Sequence, residues 1–221
     1  MQKVRIYFTK TGRAKYISHL DLMRTFMRAI KRSGVRIKYT EGFNPHPHMV
    51  FGNPLSLGYE SVAEICEVKL MDDVALNDVK DAINAQMPEG IEIRDVLPIK
   101  KELKQIGYCR YQITIEDKNT FGDNDVRTIS QLFSGDKLEI VKKSKSSEKT
   151  MDILPLIAEF ACQLDDGKLV ITAAVSFNTN ISLNPDHIVK AIVEKTDILS
   201  DEYYATFLKV ATLDYELNDF R

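Results

Sequence analysis

Val4, Ile6 and Phe8 alternate with Arg5 and Tyr7, the period of a half-buried strand, and the run ends at the Thr11-Gly12 turn. The period then lengthens. Leu20, Met23, Phe26, Met27 and Ile30 recur at helical spacing behind Ser18, a good N-cap, and ahead of Gly34, a good stop. Asp21 supplies the carboxylate of a capping box and favours the positive end of the helix dipole. The pattern predicts a helix over residues 18–31, a short strand over 35–39, and a Gly, Asn and Pro loop over 41–47 that leads into Met49, Val50 and Phe51. A strand over 62–70 follows. Leu76, Val79, Ile83 and Met87 then mark a helix closed by Pro88-Glu89-Gly90, and 91–97 reads as a last strand. The order β-α-β-β-α-β is the ferredoxin-like pattern.

Residues 99–107 are short, polar and lysine-rich and predict a linker between a first half, 1–98, and a second, 108–221. Cys109, Tyr111, Ile113 and Ile115 alternate again, Val126, Ile129 and Phe133 mark a helix over 123–133, and 138–141 is a strand. The Ser- and Lys-rich stretch 142–149 predicts a mobile loop. Strands over 154–164 and 169–177 flank Asp165-Asp166-Gly167-Lys168, a strong hairpin signal. Asn184-Pro185 opens a helix with Asn as N-cap and Pro at the first position, and 207–213 closes as a strand. The expected fold class is α+β, two tandem ferredoxin-like units with antiparallel sheets and an extra strand in the second.

The composition, 44% hydrophobic and 28% charged over 221 residues, fits a globular chain. No stretch reaches the roughly 18 consecutive apolar residues of a membrane span, and the start runs directly into a strand, so a cytoplasmic protein with no membrane partner is expected. Cys66, Cys109 and Cys162 are scattered in apolar runs and read as packing residues. The net charge of −2 hides an asymmetry: residues 1–50 hold eleven Lys or Arg against Asp21 and Glu41, a balance of +9, and residues 51–221 hold nineteen against thirty acids, a balance of −11. A cationic block in one segment is a candidate footprint for phosphate.

Within that block Arg24, Arg28 and Arg32 are spaced four apart and share a helix ridge joined by Lys31, with Arg5 and Arg13 on adjacent elements. The planar fork of arginine suits phosphate, and several such contacts make nucleic-acid binding salt-dependent. In Gly42-Phe43-Asn44-Pro45-His46-Pro47-His48 the prolines hold the chain extended and turn His46 and His48 to one side. Phe43 offers a stacking face, Asn44 a polar edge, and the histidines proton donors and acceptors. A metal would need a further ligand, with His19 and Glu64 the candidates, and no metal or other cofactor is expected. Strand alternation puts Glu64 on the face of Val62, Cys66, Val68 and Leu70, where a carboxylate needs a partner: an Arg or His of the basic third is expected, with water at the strand end as the alternative. Asp21 is a helix-start residue, and His187 reads as surface or packing.

Three stretches, Ser18-His19-Leu20-Asp21-Leu22-Met23-Arg24, Gly42-Phe43-Asn44-Pro45-His46-Pro47 and Pro54-Leu55-Ser56-Leu57-Gly58 with Glu60-Ser61 and Glu64, resemble the bacterial radical-SAM-linked protein family. The resemblance implies a companion to a radical SAM protein, beside genes of RNA processing and ribosomal proteins. This chain lacks the Cys-x-x-x-Cys-x-x-Cys run that would hold an iron–sulfur cluster, so any radical chemistry is expected from a separate polypeptide. The leading expectation is an RNA-binding or docking module without catalysis, with RNA and not DNA as the nucleic acid. Two others compete: a metal-independent RNA endonuclease using His19, His46 and Tyr39, and an adaptor that binds protein alone.

Overall fold

The computed structural model describes residues 1–143, 148–177 and 182–221, and the chain divides into two compact units, Met1–Leu103 with Arg221, and Lys104–Phe220. The first contains β1 (Gln2–Lys10), α1 (His19–Ser33), β2 (Met49–Phe51), β3 (Glu60–Leu70), α2 (Leu76–Asn84) and β4 (Ile91–Pro98). β1 pairs antiparallel with β3 and β4, and β2 pairs antiparallel with β3, giving the order β4-β1-β3-β2. Val4, Ile6 and Phe8 point to the side of α1 and α2 and join Leu22, Phe26, Ile30, Val79 and Ile83 in one apolar core. The expectation of a half-buried first strand is corrected, because Arg5, Tyr7 and Thr9 are buried too. The chain beyond β4 reaches their face, where Arg5 donates to the Lys101 carbonyl at 2.5 Å.

α1 starts where the Ser18 hydroxyl accepts the Asp21 N–H at 3.1 Å and stops at Gly34, whose φ of 75° is the left-handed C-cap conformation. Its buried stripe is Leu22, Phe26, Ala29 and Ile30, with Met23 and Met27 half-buried. Leu20, expected in that stripe, is 62% exposed. Two residues before Leu22 it points about 160° away around the helix. The strand expected over 35–39 is reduced to isolated bridges at Ile37 and Tyr39.

The second unit contains β5 (Ile106–Glu116), α3 (Asp123–Phe133), β6 (Glu139–Lys143), β7 (Glu148–Asp152), β8 (Ile157–Asp165), β9 (Lys168–Ser176), α4 (Asp186–Lys195) and β10 (Tyr204–Asp214). β5 pairs with β9 and β10, and β8 with β9, all antiparallel, so the order is β10-β5-β9-β8. Three expectations change. Ile106 and Gly107 begin β5 instead of ending a linker. The extra element is a two-stranded ladder, β6 with β7, not a single strand; Lys142, Lys143, Glu148 and Lys149 of the expected loop pair at its outer end, and residues 144–147 lie outside the described residues. The stretch 154–164 divides into a 3-10 turn at Leu154–Leu156 and β8, since Pro155 has no N–H for a ladder.

Asp166 and Gly167 take φ of 47° and 73° in the turn between β8 and β9, the positive pair that a two-residue hairpin requires. The Asn184 side chain accepts the Asp186 N–H at 3.2 Å just ahead of α4, whose N-cap position is taken by Pro185. The whole is a mixed α+β chain with antiparallel pairing and, among the described residues, four α-helices, none long and apolar enough to cross a membrane.

Candidate functional site

Lys10 lies two residues beyond Phe8, on the helix side of β1, and is only 2% exposed. Its ammonium donates to the carbonyls of Ile17 at 3.1 Å and Lys15 at 3.4 Å, fastening the 3-10 turn Gly12–Tyr16 that leads into α1. Burial pulls the Lys10 pKa below the ordinary lysine value, and the charge of Glu64 opposes that shift. Glu64, also 2% exposed, sits opposite Phe8 in the ladder. The cation whose charge is felt together with that of Glu64 is thus a lysine, Lys10. The register slips between Phe8 and Lys10, so Ser61 turns inward and Val62, expected on the Glu64 face, is 43% exposed. Asp21 receives the Ser18 hydroxyl at 2.8 Å and Arg24 at 3.0 Å, and these bonds hold its carboxyl below the usual carboxylate range.

The loop singled out at 42–48 is the far part of a hairpin that leaves and rejoins one sheet edge. Lys38 donates its N–H to Lys69 of β3 at 2.8 Å, and β2 later pairs with Val68, Glu67 and Cys66 of the same strand. Between these stations Tyr39 bridges Pro47, the Thr40 N–H meets the His46 carbonyl at 2.8 Å, and the His48 N–H meets the Lys38 carbonyl at 2.9 Å. His46 Nδ1 lies 3.1 Å from the Thr40 hydroxyl, which also accepts the His46 N–H at 3.1 Å. Gly42, at φ 127°, makes the bend, and Phe43 and Asn44 stand exposed at the tip, the phenyl ring wholly in solvent.

Cations flank the stem on both sides. Lys31, Gly34, Val35, Arg36 and Tyr39 line a cleft of about 380 Å³ at the end of α1. Lys3, Lys38, His48, Val50, Glu67 and Lys69 line another of about 310 Å³. Other members of the expected basic surface are engaged. Arg5, fully buried, is corrected from a surface phosphate contact to an internal one: it donates to Glu67 from Nε at 3.1 Å and from Nη2 at 2.5 Å. Arg32 donates to the Gln86 carbonyl at 2.8 Å, which ties α1 to the end of α2. Arg36 grips Asp72, and Lys38 meets Glu41 at 3.2 Å. Arg24 pairs with Asp21, and Arg13, Arg24, Arg28 and Lys31 are all exposed.

A family model described as an uncharacterized protein conserved in bacteria, DUF2344, matches residues 3–185 and so takes in both motif-bearing loops and α1. The chain belongs to this family. No curated protein matches it. Among solved structures it is similar to a chain of a Cbf5-Nop10-Gar1 complex, with 8% identity, a TM-score of 0.50, and coverage of 95% of this chain and 48% of that one. A chain of an H/ACA RNP bound to a substrate RNA containing 2'-deoxyuridine is similar at 8% identity and a TM-score of 0.49, covering 95% and 47%. The present chain therefore spans about half the length of these neighbours.

In this DUF2344 chain the three residues considered for acid–base chemistry occupy three different surroundings. His19 stands edge-on to Phe51 at 5.4 Å, Tyr39 lines the cleft beside α1, and His46 is held by Thr40. No group of three or more His, Cys, Asp or Glu is placed to hold a metal among the described residues. Cys66 and Cys109 are buried and Cys162 is half-buried; burial pushes the Cys66 thiol up and that of Cys162 to about 11, so neither is a ready thiolate. Sequence reasoning missed Lys3, Lys10 and Lys69. Lys10 shares parity with Phe8 and was legible in the alternation, whereas Lys3 and Lys69 meet only once the register of β1 and β3 is known.

Proposed function

We propose that this chain is an RNA-binding or docking module that works beside a separate radical SAM enzyme, with the hairpin of residues 39–47 and its flanking cations as the contact surface. One observation carries the reading: Phe43 stands wholly in solvent at the tip of a hydrogen-bonded stem, with Lys31 and Arg36 on one side and Lys38 on the other. A base stacked on such a ring contributes about 1–3 kcal/mol, and nearby cations hold the phosphates. Arg24, Arg28 and Lys31 extend the track along α1. The tie to a radical SAM enzyme rests on the resemblance carried by the Ser18–Arg24, Gly42–Pro47 and Pro54–Gly58 stretches and on the missing three-cysteine run. Two ferredoxin-like units are the architecture this reading adopts, supported by the orders β4-β1-β3-β2 and β10-β5-β9-β8, with the β6–β7 ladder as an insertion in the second.

The test is the affinity of the full chain for single-stranded RNA at about 50 and 200 mM salt. Affinity is expected to fall with salt, and Phe43→Ala to weaken it by about 5- to 150-fold. A flat or absent response discards the phosphate track. Cleavage of RNA in chelator that disappears in His46→Ala and His19→Ala variants would move the reading to an endonuclease. Capture of the radical SAM partner that survives nuclease treatment, without RNA affinity, would make the chain a protein adaptor.

A further inference from the structure

We propose that the cleft lined by Lys3, Lys38, His48 and Lys69 binds a phosphomonoester group of nucleotide size. It opens on the side of the sheet away from α1 and α2, because Lys3 and Lys69 alternate with the core residues Val4 and Val68. Lys3 and Lys69 are direct cross-strand partners in the β1–β3 ladder. Like charges placed directly opposite destabilise a sheet, and neither lysine has an ion-pair partner among the described residues. Two further basic groups are brought to the same place by main-chain bonds: Lys38 through its N–H to Lys69, and His48 through its N–H to Lys38.

One carboxylate lines the cleft, Glu67, and the Arg5 guanidinium beneath occupies it at 2.5 Å. A dianion entering the cleft therefore meets ammonium groups and a neutralised acid. The Glu41 carboxylate that meets Lys38 is 89% exposed, so an incoming phosphate displaces it at little cost. Val50 and Ile99 supply an apolar wall for the body that carries the phosphate. A volume of about 310 Å³ is the small end of ligand sites and suits one phosphorylated unit. A nucleotide and the 5′ end of an RNA share this chemistry.

Calorimetry on the full chain tests it, with inorganic phosphate, adenosine monophosphate and adenosine as probes. Adenosine monophosphate is expected to bind and adenosine not, and the Lys3→Gln, Lys69→Gln double variant to weaken binding at least about ten-fold. The same double variant is expected to melt no lower than the parent, since a repulsion is removed. Lys137→Gln, in the second unit, is the unchanged control. Equal binding of adenosine, no heat with either phosphate probe, or indifference to the double variant overturns the site. A second arm compares 5′-phosphorylated with 5′-hydroxyl RNA: a preference for the phosphate assigns the cleft to RNA ends, and none assigns it to free nucleotides. The first arm uses no RNA, so failure of the RNA-binding reading leaves its outcome intact.

Discussion

Lys10 is a charged residue that the fold buries almost completely. Its ammonium is held by two carbonyls inside the first unit, so Lys10→Met leaves the Lys15 and Ile17 carbonyls without that donor. Losing the hydrogen bonds of a charged donor costs about 1.5–3 kcal/mol, and urea unfolding is expected to show a loss of that order. The pH dependence has a definite sign. Burial lowers the Lys10 pKa in the folded protein, so between that lowered value and about 10.4 the unfolded chain binds more protons. Stability contributed through this group therefore rises with pH across the window, and the Lys10→Met variant is expected to lose that rise when unfolding is followed by titration.

Two glycines distinguish conformation from space among the elements. Gly34 ends α1 at φ 75° with open space where a Cβ would sit, so Gly34→Ala carries the cost of the left-handed backbone alone, about 1 kcal/mol. Gly90 has φ 86°, and a Cβ there would stand 2.5 Å from the Thr11 carbonyl, in the turn where the Thr11 N–H meets the Gly90 carbonyl at 2.8 Å. Gly90→Ala is expected to lower the melting temperature clearly more than Gly34→Ala. Element types were legible where the period was long: α1 with its Ser18 and Gly34 ends, α3, and the Asp166-Gly167 turn all follow from local chemistry. Leu20, the bulge before Ser61 and the strand β7 were not, because helix phase, register and the pairing of a polar strand are set by partners distant in sequence. The histidine loop was legible as extended, but the stem that carries it exists only through bonds to Lys38 and Thr40.

For the whole molecule, charge follows the division into units. Met1–Leu103 with Arg221 holds seventeen Lys and Arg against thirteen Asp and Glu, a balance of +4, and Lys104–Phe220 holds thirteen against nineteen, a balance of −6. A polyanion is attracted by the first and repelled by the second. Hydrogen exchange with and without single-stranded RNA is expected to show added protection at residues 31–50 and none in the second unit. Protection centred on the second unit would contradict the cationic footprint. The +9 of the first fifty residues overstates the usable surface, because Arg5 and Lys10 are internal and Arg32 is tied to Gln86.

From Ile37 opposite Leu70 to Met49 opposite Val68, twelve steps on one strand match two on the other, so ten residues are surplus to the ladder. Lys38 already meets Lys69, the neighbour of Val68, and a splice from Lys38 to Met49 would leave β3 with an unbroken edge. The segment bearing Phe43 and both loop histidines is in that sense a graft. It can be lengthened, shortened or exchanged without disturbing the sheet that displays it, which frees its specificity to change independently of stability.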